Sequence, residues 1–428
     1  MKRLQLLIIL MGILAFSCDA PIKDTVTNPS DYNQYLTSNL ENEKLVFAKS
    51  ELDFWSNKFQ KAPNQSTYLS KIAAANTELF ALTGQIDYLN TAAKQLAKVN
   101  EMRFSTSASV LRTLAKTKIT QHQFQEADKY LTLADSLGEN KGATQKMIFD
   151  VAMELGEYEK AGSILKKLSE KEDFDYLIRL AKWRDYNGDT EGAIEQLKLA
   201  TIKAEELDSD DLRLWIYSNI ADFYGHVGSI EKSYAHYLKA LEIDPNYVYA
   251  LKGIAWITFS YEKNTEEAER IIAAIERKHE APDYNLLKAE IAKYQGNTAK
   301  ETELKEKFIS LVSSTKYGDM YNAYLVTMLE NNPEKALELA KKEVANRPTP
   351  QSYQLLSSAY YQNGNKSEAL LIANNKVKGK TYEPKSLIHL AQLYKAAGNE
   401  ENVTDLKNEL KGSYFEVGPN METIIKSL

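Results

Sequence analysis

The chain has 428 residues, with 53 basic against 59 acidic side chains and a net charge of −6. No basic stripe or arginine-rich run appears, which argues against nucleic acid as a partner. Hydrophobic residues make up 43% while only 10 Pro and 18 Gly are present, so an ordered, largely helical chain is expected, built as an array of units rather than around one compact core.

In chain order, Lys2 and Arg3 precede an apolar run from Leu4 to Phe16. That run is too short to cross a bilayer of ~30 Å hydrocarbon and has the length of a signal-peptide core. It ends in Ala15-Phe16-Ser17-Cys18, and Cys18 is the only cysteine of the chain, so it has no partner for an internal disulfide. These residues resemble a bacterial lipoprotein signal, Bacteroidota-like, in which residues 1–17 are removed and Cys18 takes the lipid. The sequence departs from that pattern at Ala15, where the family usually carries Leu. Ordinary secretory cleavage after Ala15-x-Ser17 is the alternative. The resemblance implies a cell-envelope protein held to a membrane by an N-terminal lipid anchor, the outer membrane rather than the inner, with the folded part in the periplasm or at the cell surface. Residues 18–30, with Pro21, Pro29 and several small polar residues, predict a flexible tether.

Residues 31–107 predict an atypical N-terminal cap followed by one helix-pair unit. Residues 31–60 read as one amphipathic helix through Tyr35, Leu40, Leu45, Phe47, Leu52 and Trp55, and 66–100 as two helices joined by an extended turn around Thr83–Tyr88.

A 34-residue beat then sets in, clearest at Ala221, Ala255 and Ala289 and continued by Tyr324, Ser357 and Ala391. Leu214 to Pro245 shows its content. Tyr217, Ile220, Ala221 and Tyr224 form the apolar stripe of a first helix, Gly228 breaks it, and Ser233, Tyr237, Ala240 and Leu241 form the stripe of a second. Asp244-Pro245-Asn246 ends that second helix. This order of bulky, small and aromatic residues closely resembles the tetratricopeptide repeat (TPR) family, best in "SYAHYLKALEIDPNYVYALKGIAW". Nine units are expected over 108–412, starting near 108, 142, 174, 214, 248, 282, 317, 350 and 384, with a capping helix at 413–428. The resemblance implies an all-α fold, an α-solenoid of stacked helix pairs curling into a right-handed superhelix with a concave face. Three units depart from the pattern: Phe149 and Tyr324 stand where a small residue belongs, and charged Glu301 and Lys305 fall on an expected inner stripe. The 40-residue step from 174 to 214 places an insertion at "EELDSDD".

The five histidines sit in different units or on different helices, and none forms a paired metal-ligand spacing. No phosphate-cradling glycine loop or nucleophile elbow is present. No metal, cofactor or catalytic residue is therefore expected. In TPR-like proteins ligands lie in the groove lined by first helices. The residues expected to face it are Arg179, Lys182, Trp215, Asp222, Tyr249, Lys252, Trp256, Phe259 and Tyr321, aromatics beside charges that suit a protein or peptide ligand. The competing reading puts the aromatics between helices as core. The expected function is a non-enzymatic scaffold binding a protein or peptide. The alternative is a glycan- or nutrient-binding surface lipoprotein partnering a transporter, which a long irregular insertion between repeats would favour.

Overall fold

The computed structural model describes residues 25–37, 42–169, 172–329 and 331–428. The signal segment, Cys18 and the first part of the expected tether lie outside the described residues. Among those described there are twenty-three α-helices and no strand. Helices α1 (Pro29–Thr37) and α2 (Glu43–Lys61) precede a first antiparallel pair, α3 (Ser66–Thr83) and α4 (Ile86–Met102). Next come α5 (Ala108–Thr120) with α6 (Phe124–Leu137), α7 (Lys141–Glu154) with α8 (Tyr158–Leu168), and α9 (Phe174–Tyr186) with α10 (Thr190–Glu206). The middle pairs are α11 (Asp210–His226) with α12 (Ile230–Ile243), α13 (Val248–Trp256) with α14 (Thr265–Glu276), and α15 (Asp283–Tyr294) with α16 (Thr298–Val312). The last are α17 (Asn322–Met328) with α18 (Pro333–Asn346), α19 (Pro350–Gln362) with α20 (Lys366–Ile372), and α21 (Pro384–Ala396) with α22 (Glu400–Glu409), closed by α23 (Tyr414–Ser427).

The pairs form because each helix buries one stripe. Tyr217, Ile220, Ala221 and Tyr224 of α11 are buried against Ser233, Tyr237, Ala240 and Leu241 of α12, and each full burial of a large apolar side chain is worth about 1.5–3 kcal/mol. Ala221, Ala255 and Ala289 are all buried, where a larger side chain would hold the two backbones apart. A second beat was not read from the sequence. Asn264, Asn297, Asn332, Asn365 and Asn399 each stand just before a second helix, and each side-chain oxygen accepts the N–H three residues on. Such a cap contributes about 1 kcal/mol.

Several local expectations need correction. Residues 31–60 are two helices: Asn42 caps a fresh start by accepting from Leu45 N–H at 3.2 Å, while α1 packs elsewhere. The turn after α3 is short, only Gly84 and Gln85. In α16 the inner stripe is Leu304, Phe308 and Val312, and Glu301 and Lys305 pair with each other at 2.6 Å on the partly exposed side. Tyr324 is 46% exposed; it leaves the small-residue seam, packs on Phe308, and α17 shrinks to seven residues. Phe149, by contrast, is fully buried. The inserted residues after 200 lengthen α10 and α11 to seventeen residues each.

The solenoid completes one turn in six pairs and then lands on itself. The α3–α4 turn meets the loop entering α15: Glu280 N–H donates to Thr83 O at 2.7 Å, and Gln85 Nε2 to Glu280 Oε1 at 2.9 Å. At the α5–α6 turn, Asn346 Nδ2 donates to His122 O at 2.7 Å. At the α7–α8 turn, Gly156 lies against the Pro348 carbonyl and Arg347 pairs with Glu154 at 3.4 Å. At the α9–α10 turn, Gly188 lies against the ring of Tyr382, and near the α11–α12 turn Gly225 lies against Phe415. The seam starts one step earlier, where Lys44 of α2 pairs with Asp244, before α13, at 2.7 Å.

Residues 25–30, expected as part of a free tether, belong to the fold. Val26 and Thr27 N–H donate to Glu262 Oε1 at 2.8 and 2.6 Å, and Thr27 Oγ1 donates to Glu262 Oε2 at 2.9 Å. Tyr32 and Leu36 of α1 are buried in the core formed with α12 and α14, and Tyr234 OH donates to Asp31 Oδ2 at 3.0 Å. Glu262 is only 4% exposed, so its three donors are what make its burial tolerable. Glu262→Ala is expected to weaken docking of residues 25–37 by about 2–3 kcal/mol, since two backbone N–H groups lose a charged acceptor. Hydrogen exchange should show α1 losing protection while α5 to α10 keep theirs; unchanged protection of α1 would refute the clamp.

Candidate functional site

A concavity of about 320 Å³ built from these elements lies on the seam. One wall is first-turn structure, Asn42 before α2 with Ala81 and Leu82 of α3; the other is second-turn structure, from Asp244 to Lys252 and from His279 to Tyr284. Tyr247 and Tyr249 run near-parallel, ring centroids 6.2 Å apart, and Lys252 Nζ lies 5.9 Å from the Tyr249 ring centroid. On the far side Tyr284 OH and His279 Nδ1 are hydrogen-bonded at 2.8 Å. Burial holds His279 below its usual pKa, Lys252 acts in the same sense, and Asp283 opposes. Asp283 Oδ1 is enclosed without a hydrogen-bond partner.

Behind this wall sits Asp222 of α11. It accepts hydrogen bonds from Tyr237 OH and, at 2.5 Å, from Tyr249 OH. Burial lifts the Asp222 carboxyl above its usual range and the two hydroxyls pull it partly back. Both tyrosines are pushed up, by burial first and then by Asp222. The carboxylate thus fixes the Tyr249 ring at the cavity mouth.

Of the nine residues expected in the groove, Tyr249 and Lys252 line this cavity, and Asp222 positions Tyr249. Tyr321 lines a smaller neighbouring cavity of about 130 Å³ with Phe80, Gly84, Ile86 and Met320. Trp215 is 39% exposed and meets Phe174 edge-on at 5.9 Å. The other four are committed within the fold. Arg179 is 9% exposed and ties α9 to α7 through Asp150 at 2.6 Å and Lys146 O at 3.0 Å. Lys182 pairs with Glu154 at 3.0 Å. Phe259 is 1% exposed, because α13 runs into a π-helical turn, Ile257–Tyr261. The wider turn shifts the helical phase and carries Phe259 inward. Trp256 is covered by α23: its Nε1 donates to Phe415 O at 3.1 Å. The capping helix therefore reaches beyond the end of the array to its middle.

Tyr247, His279, Asp283 and Tyr284 were not singled out from the sequence. The spacing of Tyr247 and Tyr249 at the start of a first helix was a usable signal; the remainder depends on the seam. Among the described residues no cluster of three or more His, Cys, Asp or Glu side chains is placed to hold a metal ion, and no helix is long and apolar enough to cross a membrane.

Residues 216–247 match the tetratricopeptide repeat family. The chain thus contains a tetratricopeptide repeat, α11 with α12, in its most regular part. No curated protein sequence matches the chain significantly. Among solved structures, it is similar to a human IFIT1 dimer with m7Gppp-AAAA, at 14% identity over 76% of each chain and a TM-score of 0.48. A tetratricopeptide repeat protein from Parabacteroides merdae is 15% identical over 59% of this chain and 96% of its own, with a TM-score of 0.33. YrrB, described as a TPR protein with an unusual peptide-binding site, is 17% identical over 46% of this chain and 95% of its own, with a TM-score of 0.27.

Proposed function

We propose that this protein is a non-enzymatic TPR scaffold of the bacterial cell envelope. It is anchored through a lipid on Cys18 and binds a protein or peptide partner on its first helices. The observation that carries the reading is the line of exposed aromatics at the starts of consecutive first helices. Trp215 of α11 and Tyr249 of α13 stand 39% and 43% exposed, yet each is held in place, Trp215 by Phe174 and Tyr249 by Asp222. Preformed aromatic side chains of this kind lose little freedom on binding and are frequent anchors of interfaces. The anchor rests on the resemblance of residues 1–18 to a lipoprotein signal. Between α3 and α23 the longest interval between α-helices among the described residues is 373–383, and its first part is a π-helical turn, Ala373–Val377, so the glycan-binding alternative gains no support from an inserted domain.

Crosslinking the tagged protein in membranes and identifying what co-purifies tests the reading. A defined protein partner that is lost in Trp215→Ala with Tyr249→Ala is expected, with an unchanged helical spectrum. Recovery of sugar alone, or of the same proteins with the double variant, would sink it. Cys18→Ser should move the protein from the membrane to the soluble fraction.

A further inference from the structure

We propose that the seam cavity is a binding site for a small zwitterion, an amino acid or dipeptide with free ammonium and carboxylate ends. At about 320 Å³ it is at the lower end of the range of small-ligand pockets. Its walls carry one charge of each sign left without an ionic partner. Lys252 forms no ion pair among the described residues; its Nζ lies over the face of Tyr249, and its charge also acts on Asp222 behind that ring. Asp283 forms none either: the Tyr321 hydroxyl bonds to its side chain, but its Oδ1 is enclosed without a hydrogen-bond partner. A buried carboxylate oxygen in that state is costly unless something supplies a proton donor. The two charges act on His279 in opposite senses, so both lie near it, yet they do not pair with each other. A ligand carrying a carboxylate for Lys252 and an ammonium for Asp283 would satisfy both at once.

The remaining walls fit the rest of such a molecule. Tyr247, Tyr249 and Tyr284 offer aromatic faces to an apolar side chain. Asp244, the other carboxylate at the rim, already pairs with Lys44 at 2.7 Å and accepts from Asn246 N–H, so it does not compete for the ammonium. His279 has Nδ1 engaged by Tyr284 and adds no further fixed charge at neutral pH, because burial lowers its pKa. A ligand held here would touch α3 on the first turn of the spiral and α13 and the start of α15 on the second, so its binding would fasten the seam. The site shares Tyr249 with the proposed partner surface, but it needs no docked partner and can exist whether or not a protein partner is found.

The test is isothermal titration of the intact chain with L-leucine, L-tyrosine and glycyl-L-leucine, set against N-acetyl-L-leucine and L-leucinamide, which each lack one charge. At least one zwitterion should bind with a dissociation constant of about 1 mM or tighter. The blocked forms should bind at least about tenfold more weakly, one lost charge-assisted bond being worth that much. Lys252→Met should lose discrimination against L-leucinamide, and Asp283→Asn discrimination against N-acetyl-L-leucine, while Lys316→Met, which removes the seam pair of Lys316 with Asp87 of α4 at 2.7 Å, changes neither. The proposal is overturned if no zwitterion binds at about 10 mM, a concentration well above that constant. It is equally overturned if the blocked forms bind wild type as tightly as the free ones. The wild-type comparison decides even where a variant folds poorly.

Discussion

Gly253→Ala is expected to destabilise the middle of the array by about 2–4 kcal/mol, although alanine is the better helix former by roughly 1 kcal/mol. Gly253 lies on α13 directly under the ring of Tyr237, and a Cβ there would fall inside the ring's van der Waals surface. The ring has nowhere to go. Tyr237 is buried against the α11–α14 core, and its hydroxyl is held by Asp222. Overpacking a filled core costs about 1–3 kcal/mol, and breaking a hydrogen bond to a charged acceptor adds about 1.5–3 kcal/mol. Losing Tyr237 from its place also frees Asp222, and with it the Tyr249 ring that walls the seam cavity. Urea denaturation of wild type, Gly253→Ala, Tyr237→Ala and the double variant measures the coupling. In the Tyr237→Ala background the glycine replacement should cost almost nothing. If Gly253→Ala is as stable as wild type when Tyr237 is intact, the close packing of α12 on α13 is wrong.

The second large effect is expected at Gly84. Its φ is +72°, and a Cβ would overlap the backbone carbonyl of Glu280 across the seam. Gly84→Val therefore meets two obstacles. A β-branched residue in the left-handed region costs more than the 1–2 kcal/mol typical of other side chains. The overlap with Glu280, moreover, can be relieved only by moving one turn of the spiral off the other, which breaks the Glu280 N–H to Thr83 O bond. Gly364 separates the two contributions, because its φ is +81° but nothing lies near its absent Cβ. Gly364→Val should show the backbone strain alone. Gly84→Val should lose about 3 kcal/mol or more and expand in small-angle scattering, with faster hydrogen exchange at residues 279–284. Equal scattering profiles for the two variants would show that the turns are not held together at this point.

The repeat architecture was legible because its determinants are local. The small residues at 221, 255 and 289 recur along the chain, and steric need at a helix–helix contact leaves little choice of residue. First helices begin at 108, 141, 174, 210, 248, 283, 322, 350 and 384, within five residues of the starts the beat suggests. The largest displacement is at α17, where Tyr324 breaks the pattern. Other determinants were weaker in the sequence. The π turn after Trp256 cannot be told from a regular helix by residue spacing, so Phe259 was assigned to the wrong face. The ion pairs of Arg179 and Lys182 join neighbouring first helices, and a helical wheel shows direction but not partners. Least legible was the seam cavity. Leu82 and Tyr284 share it although 202 residues separate them in the sequence, and no periodicity links a turn of one pair to a loop six pairs later.

That six-pair offset makes the number of repeats a structural constant. In an open solenoid each unit touches only its neighbours, so a pair can be duplicated or lost with local consequences. Here the turns of the first five pairs are each fitted to a particular residue one revolution later: Gly84 to Glu280, His122 to Asn346, Gly156 to Pro348, Gly188 to Tyr382 and, in the fifth pair, Gly225 to Phe415. Adding or removing one pair between α5 and α14 would leave every helix pair foldable, yet it would carry the loops that follow onto the wrong turns. Such a chain would keep its helix content and lose its closure, as a zip does when fastened one tooth out of step.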